Sequence, residues 1–81
     1  MPRYYIHVIE GDTVHCDPEG SKAADLAAAE KLARSAAREL AAEALRAGKG
    51  DWAALLRVED EQKRRLFDID VACTLFTSWT V

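Results

Sequence analysis

The chain is short of nearly everything that usually builds a reactive site. Two cysteines in 81 residues, Cys16 and Cys73, do not make a disulfide framework, and there is no C-x-x-C pair. Four glycines are scattered at positions 11, 20, 48 and 50, so no glycine-rich phosphate loop exists. Ser21, Ser35 and Ser78 have no evident base partner. No apolar run approaches the roughly 20 residues that span a bilayer. The opening Met1-Pro2-Arg3 leads into a strand-like run, so no secretory signal is expected there. Positive charge is also in deficit. The net charge is -3 and the only basic tract is Lys63-Arg64-Arg65, which gives no general attraction for a phosphate backbone. These absences lead us to expect a cytoplasmic, non-enzymatic protein without metal, cofactor or membrane anchor, for which nucleic acid is not the expected partner.

What is present is architectural. A single strongly patterned segment runs from Leu26 to about Ala47, between Asp25 and Gly48. At about 100° per residue, Leu26, Ala29, Ala33, Ala36, Ala37, Leu40 and Ala44 share one stripe. Asp25 is the expected N-cap, because its carboxylate can accept a first-turn amide. Glu30 precedes Arg34 by four residues, the favourable order for an ion pair. Lys31, Arg34 and Arg38 form a basic flank, with Glu39 and Glu43 on the other side. An inner face made mostly of alanine can approach a partner layer closely but cannot make a core alone.

The flanking segments must supply that layer. Arg3 to Ile9 is rich in aromatic and β-branched residues and reads as a strand. Tyr4, Ile6 and Val8 share one face, and Tyr5, His7 and Ile9 the other. Glu10-Gly11-Asp12-Thr13 reads as a tight turn, and Thr13 to Asp17 as the returning strand, which Pro18 and Gly20 stop. This hairpin places His7 opposite Cys16 and His15 opposite Val8. After the helix, strands are expected from about Ala54 to Glu59 and from about Arg65 to Val71, joined by a turn at 60–63. Phe67, Ile69 and Val71 alternate with Asp68 and Asp70, the signature of a strand with one wet face. The parity continues through Cys73 and Leu75. The reading is a single α+β domain over residues 1–81: ββαββ, a four-stranded, mainly antiparallel sheet with one long helix on one face, and an apolar tail at about 76–81.

Several stretches resemble a family of short uncharacterised bacterial proteins, a domain of unknown function. These are Met1-Pro2-Arg3-Tyr4-Tyr5, Glu10-Gly11-Asp12, Asp17-Pro18-Glu19-Gly20, Asp25-Leu26-Ala27-Ala28-Ala29 and Val58-Glu59-Asp60-Glu61. The likeness runs over roughly residues 1–71. It implies the same ββαββ order and no activity. Family members often carry a glycine in the last turn, where this chain has Gln62-Lys63, and the apolar tail is longer than usual. A more distant likeness, in element order alone, is to HicB-like antitoxins.

The residues that could carry chemistry have simpler readings. His7, His15 and Cys16 are the only soft-ligand group, and they fall short of the four ligands of a zinc site. Asp17 and Glu19 are read as turn residues accepting backbone hydrogen bonds, and Asp68 and Asp70 as water-facing strand residues. The remaining signal is apolar. With the helix on one face, Tyr5, Ile9 and Leu66 would remain on the other, joined by Phe76 and Trp79 from the tail. A contiguous apolar patch on a small protein usually marks an interaction surface. A domain of this length buries only about 60% of its unfolded surface, so a second copy would add needed burial. The leading expectation is a self-associating interaction module, a two-fold dimer. The alternative is an antitoxin-like regulator whose helix flank, with Lys31, Arg34 and Arg38, or whose sheet binds a basic protein or a nucleic-acid partner.

Overall fold

The computed structural model describes residues 1–80; Val81, the last residue of the expected tail, lies outside the described residues. The elements are β1 (Arg3–Glu10), β2 (Thr13–His15), β3 (Ser21–Lys22), α1 (Leu26–Arg46), β4 (Asp51–Glu59) and β5 (Arg65–Thr74). All pairings are antiparallel, and the sheet runs β2-β1-β4-β5 with β3 beside the start of β1. The fold is therefore α+β, with one helix and a five-stranded antiparallel sheet.

Two details depart from the expected ββαββ order. The second strand stops at His15, not Asp17, and its edge of the sheet resumes as the two-residue β3, where Arg3 pairs with Lys22 and Tyr4 with Ser21. The edge opposite β1 is thus one strand interrupted by residues 16–20. The fourth strand begins at Asp51 rather than Ala54. Pairing with the long β5 draws in Asp51, Trp52 and Ala53, opposite Thr74, Cys73 and Ala72. Local alanine preference yields there to cross-strand pairing. Trp52 is fixed further by its indole N–H, which donates to Glu10 Oε2 at 3.1 Å.

The hairpin register is the one the Gly11-Asp12 turn dictates: Val8 opposes His15 and Glu10 opposes Thr13. Gly11 has φ 56, while Asp12 is not in the left-handed region, the pattern of a type II′ turn that twists with its strands.

α1 is capped at both ends by its own sequence. Asp25 accepts the Ala28 amide at 2.9 Å. At the other end Lys49 N–H donates to Ala44 O and Gly48 N–H to Leu45 O, the paired bonds of a Schellman stop. The Glu30–Arg34 ion pair forms at 2.9 Å.

The core lies between α1 and one sheet face. Ala29, Ala33, Ala37 and Ala44 are buried on the helix. Below them lie Tyr4, Ala54, Leu56 and Val58, with Phe67, Ile69 and Ile6 partly covered. Leu56 and Val58 are the only large side chains below 2% exposure among the described residues. Each is worth roughly 1.5–3 kcal/mol by burial. The inner stripe is narrower than the periodicity suggests. Ala36 and Leu40 are only partly covered, and Leu26 is 49% exposed. The closest approach therefore runs through Ala29, Ala33 and Ala37, and Ala36 is not its centre.

The turn joining β4 and β5 places Lys63 at φ 64, a left-handed position. A side chain there costs about 1 kcal/mol, part of which glycine returns through its larger unfolded-state entropy. Lys63→Gly is expected to stabilise the fold by up to ~1 kcal/mol. Urea unfolding of the two proteins checks this; a fall in midpoint would show that the Lys63 side chain contributes more than its backbone strain removes.

Candidate functional site

The face of the sheet opposite α1 has no covering layer among the described residues, and strand pairing arranges its side chains in rows. Val14, Ile9 and Leu55 lie side by side across β2, β1 and β4, ending at Asp70 on β5. The next row holds His7, Arg57 and Asp68, and the next Tyr5, Glu59 and Arg65. Directly opposed side chains on one face are the contacting units of a sheet. Arg57 Nε lies 3.5 Å from Asp68 Oδ1 without the alignment of a hydrogen bond, and it has no other partner.

The densest polar network centres on His7 and Asp17. Residues 16–20 bulge away from the β1 edge, which would leave the Ile6 amide without a strand partner. Asp17 replaces that partner: its Oδ2 accepts Ile6 N–H at 3.1 Å, while Oδ1 accepts Gly20 N–H at 3.0 Å and Glu19 N–H at 3.3 Å. Arg3 Nη1 donates to Glu19 O at 2.8 Å and secures the same loop. Gly20 closes it at φ 69, where an added Cβ would stand 2.9 Å from Tyr4 O and 2.8 Å from the Tyr5 ring. Only glycine tolerates both the conformation and the approach.

Partial burial alone would raise the Asp17 carboxyl. The amides of Gly20, Ile6 and Glu19 outweigh it and hold the group below its ordinary 3.8. Asp60 is also held low, first by the Arg64 amide, with the Arg64 side chain and the Gln62 amide adding to it against an opposing desolvation.

His7 links this loop to β4. Asp17 N–H donates to His7 Nδ1 at 3.0 Å, so the other nitrogen, Nε2, carries the ring proton and donates to Glu59 Oε1 at 3.1 Å. Neither ring nitrogen then presents a lone pair to a ligand. A hollow of about 270 Å³ opens beside them, lined by Tyr5, His7, Asp17, Glu59, Glu61 and Lys63, among others. Its acceptors are largely engaged: Asp17 by three amides, Glu59 by His7, and Glu61 by the Arg3 amide at 3.4 Å. His15 stands apart, 3.6 Å from Glu10. Cys16 and Cys73 are free thiols; Cys73 Sγ lies 3.8 Å from Ala41 O.

The apolar candidates do not gather into one patch. Tyr5 and Ile9 stand on the open face, half-buried by their neighbours. Leu66 does not join them. The register shifts between Val58 and Glu59, whose partners are Phe67 and Arg65, so Leu66 is the extra residue of a β-bulge. It lines a hollow with Tyr4 and Leu26 instead. Phe76 and Trp79 follow β5 and are 89% and 87% exposed, with Leu75 at 65%. Val14 and Leu55 complete the row at Ile9. Alternation within the hairpin and within β4 carried that signal, once the register was known. Of the basic stripe, Arg34 is paired with Glu30, and Arg34 and Arg38 flank a hollow beside Ile69, Asp70 and Val71 along β5. Lys31 is exposed.

No helix among the described residues is long and apolar enough to cross a membrane. No curated protein and no solved structure matches the chain. A domain of unknown function, DUF6894, matches residues 3–72, which takes in all five strands and the helix up to the last two residues of β5. The chain belongs to this DUF6894 family.

Proposed function

We propose that the protein is a non-catalytic module that works by associating with a second copy of itself. The observation that carries this reading is the exposure of Leu75, Phe76 and Trp79, three apolar side chains in five residues, directly after the last strand. Exposed apolar side chains grouped in this way usually mark a contact surface. The small core supports the same reading, since among the described residues two large side chains are fully buried and further burial would come from a partner. The non-catalytic part rests on the His7 network, where both ring nitrogens are taken by Asp17 and Glu59. General base chemistry needs a free lone pair within reach of substrate. A reducing compartment such as the cytoplasm suits two unpaired thiols.

The antitoxin-like alternative draws less support, because Arg34 already has a carboxylate partner in Glu30. Size-exclusion chromatography with light scattering tests the main reading. A mass of twice the chain at micromolar concentration is expected. A monomer persisting to several hundred micromolar would remove it.

A further inference from the structure

The two edges of the sheet are not equivalent. On the β1 side the edge is broken into pieces of three and two residues, and the gap between them is filled by the Asp17 carboxylate. Short, interrupted edges of this kind resist pairing with another chain. On the other side β5 runs ten residues, pairs only with β4, and contains no proline. Its outer backbone groups form a ready template for one more strand, and the apolar tail continues directly from it.

Resting on the self-association proposed above, we infer that two copies join edge to edge through β5, antiparallel, with the two-fold axis at Val71. In this register Ala72 faces the partner's Asp70, and Thr74 faces the partner's Asp68. Leu75 falls opposite the partner's Phe67, and beyond it Phe76 and Trp79 run alongside the partner's β-bulge at Leu66 and the turn that precedes β5. No like charges stand directly opposite each other along β5, and Leu75 gains an apolar neighbour. The adjacent registers are worse. An axis at Asp70 sets that carboxylate against its own copy, and an axis at Ala72 sets Phe76 against Asp68. A two-fold axis also closes the assembly, leaving only the interrupted β2/β3 edges outside.

The helix flank over this edge carries Ala37 and Ala41, beside a hollow of about 220 Å³. These small residues leave room for the second helix. Arg34 and Arg38 on the same flank approach their copies, a repulsion that salt screens within about 8 Å at 0.15 M. The test therefore uses at least that ionic strength.

Directly opposed residues in an antiparallel pair have Cα atoms about 4.5–5.5 Å apart, within disulfide range. In a Cys16→Ser, Cys73→Ser background, Val71→Cys alone is expected to convert most of the chain to a covalent dimer on mild oxidation. Asp68→Cys together with Thr74→Cys is expected to do the same, and neither of those alone. Both of these positions are exposed, so this second test does not depend on tolerance of a change at Val71. Ending the chain at Thr74 is expected to weaken association at least tenfold. A dimer by light scattering that lacks this cross-linking pattern overturns the β5 pairing and leaves self-association standing. A monomer overturns both and recasts Asp68 and Asp70 as charges that protect the edge.

Discussion

Ala33→Phe is expected to lower stability by at least ~3 kcal/mol, enough to unfold a substantial fraction of the chain. Ala33 is 0% exposed, on the one stripe where α1 meets the sheet, in the same cluster as Val58 and Tyr4. A close-packed interface has no void for six added ring carbons, so the helix must lift or the ring must take a strained rotamer. Proteins of this length have roughly 4–12 kcal/mol in total, so the loss is a large share. Each kcal/mol shifts the melting temperature by about 4–8 °C in a domain this small. Thermal unfolding by circular dichroism should therefore fall by at least about 12 °C. Ala27→Phe is the control: Ala27 is exposed on the same helix, and its change should stay within ~1 kcal/mol. Equal melting temperatures for the two variants would mean that α1 does not rest on the sheet through Ala33.

Asp17→Ala should be the most damaging single loss among the polar side chains, about 2–4 kcal/mol. One carboxylate receives three backbone amides, from Ile6, Glu19 and Gly20. Hydrogen bonds to a charged acceptor contribute roughly 1.5–3 kcal/mol each, and bonds sharing one group do not add. The Ile6 amide is the critical one, since it belongs to the strand ladder and is partly buried. Hydrogen exchange at Ile6 should accelerate in the variant well beyond exchange at the centre of β4.

The same carboxylate sets part of the acid response. Its folded-state pKa is depressed, so its contribution is complete above the unfolded value near 3.8 and disappears as pH falls through the lower folded value. Asp17→Asn keeps an acceptor oxygen but carries no titrating proton. The stability gap between wild type and Asp17→Asn should be widest near neutral pH and narrow below about pH 4. Asp60 is depressed in the same direction and titrates in the same window in both proteins, so it cancels in the difference. A gap that is constant down to pH 2 would place the titrating group elsewhere.

Much of the fold was legible without coordinates because it is encoded locally. Asp25 and the Gly48 stop define α1 by their own hydrogen bonds. Gly11-Asp12 sets the hairpin register, and with it the opposition of Val8 and His15. The alternation from Phe67 to Val71 fixes which face of β5 is wet. Each of these signals lies within a few residues of what it specifies. The role of Asp17 was readable in kind, as a carboxylate serving backbone amides in a turn. Its identity as the substitute for a missing strand partner was not, because Ile6 is eleven residues away and the break in the edge appears only once β3 pairs with β1.

The sequence by itself therefore determined the type of every element but the two-residue β3, the helix caps, the first turn and the scarcity of bulk in the core. Those depend on propensity, periodicity and short-range hydrogen bonds. Tertiary structure alone decided the strand order, the β-bulge that removes Leu66 from the open face, the extension of β4 to Asp51 and the tether from Asp17 through His7 to Glu59. Each of these is a choice of partner between segments far apart in the chain. Such choices follow from how strands align and which faces meet, quantities that no local pattern of residues contains.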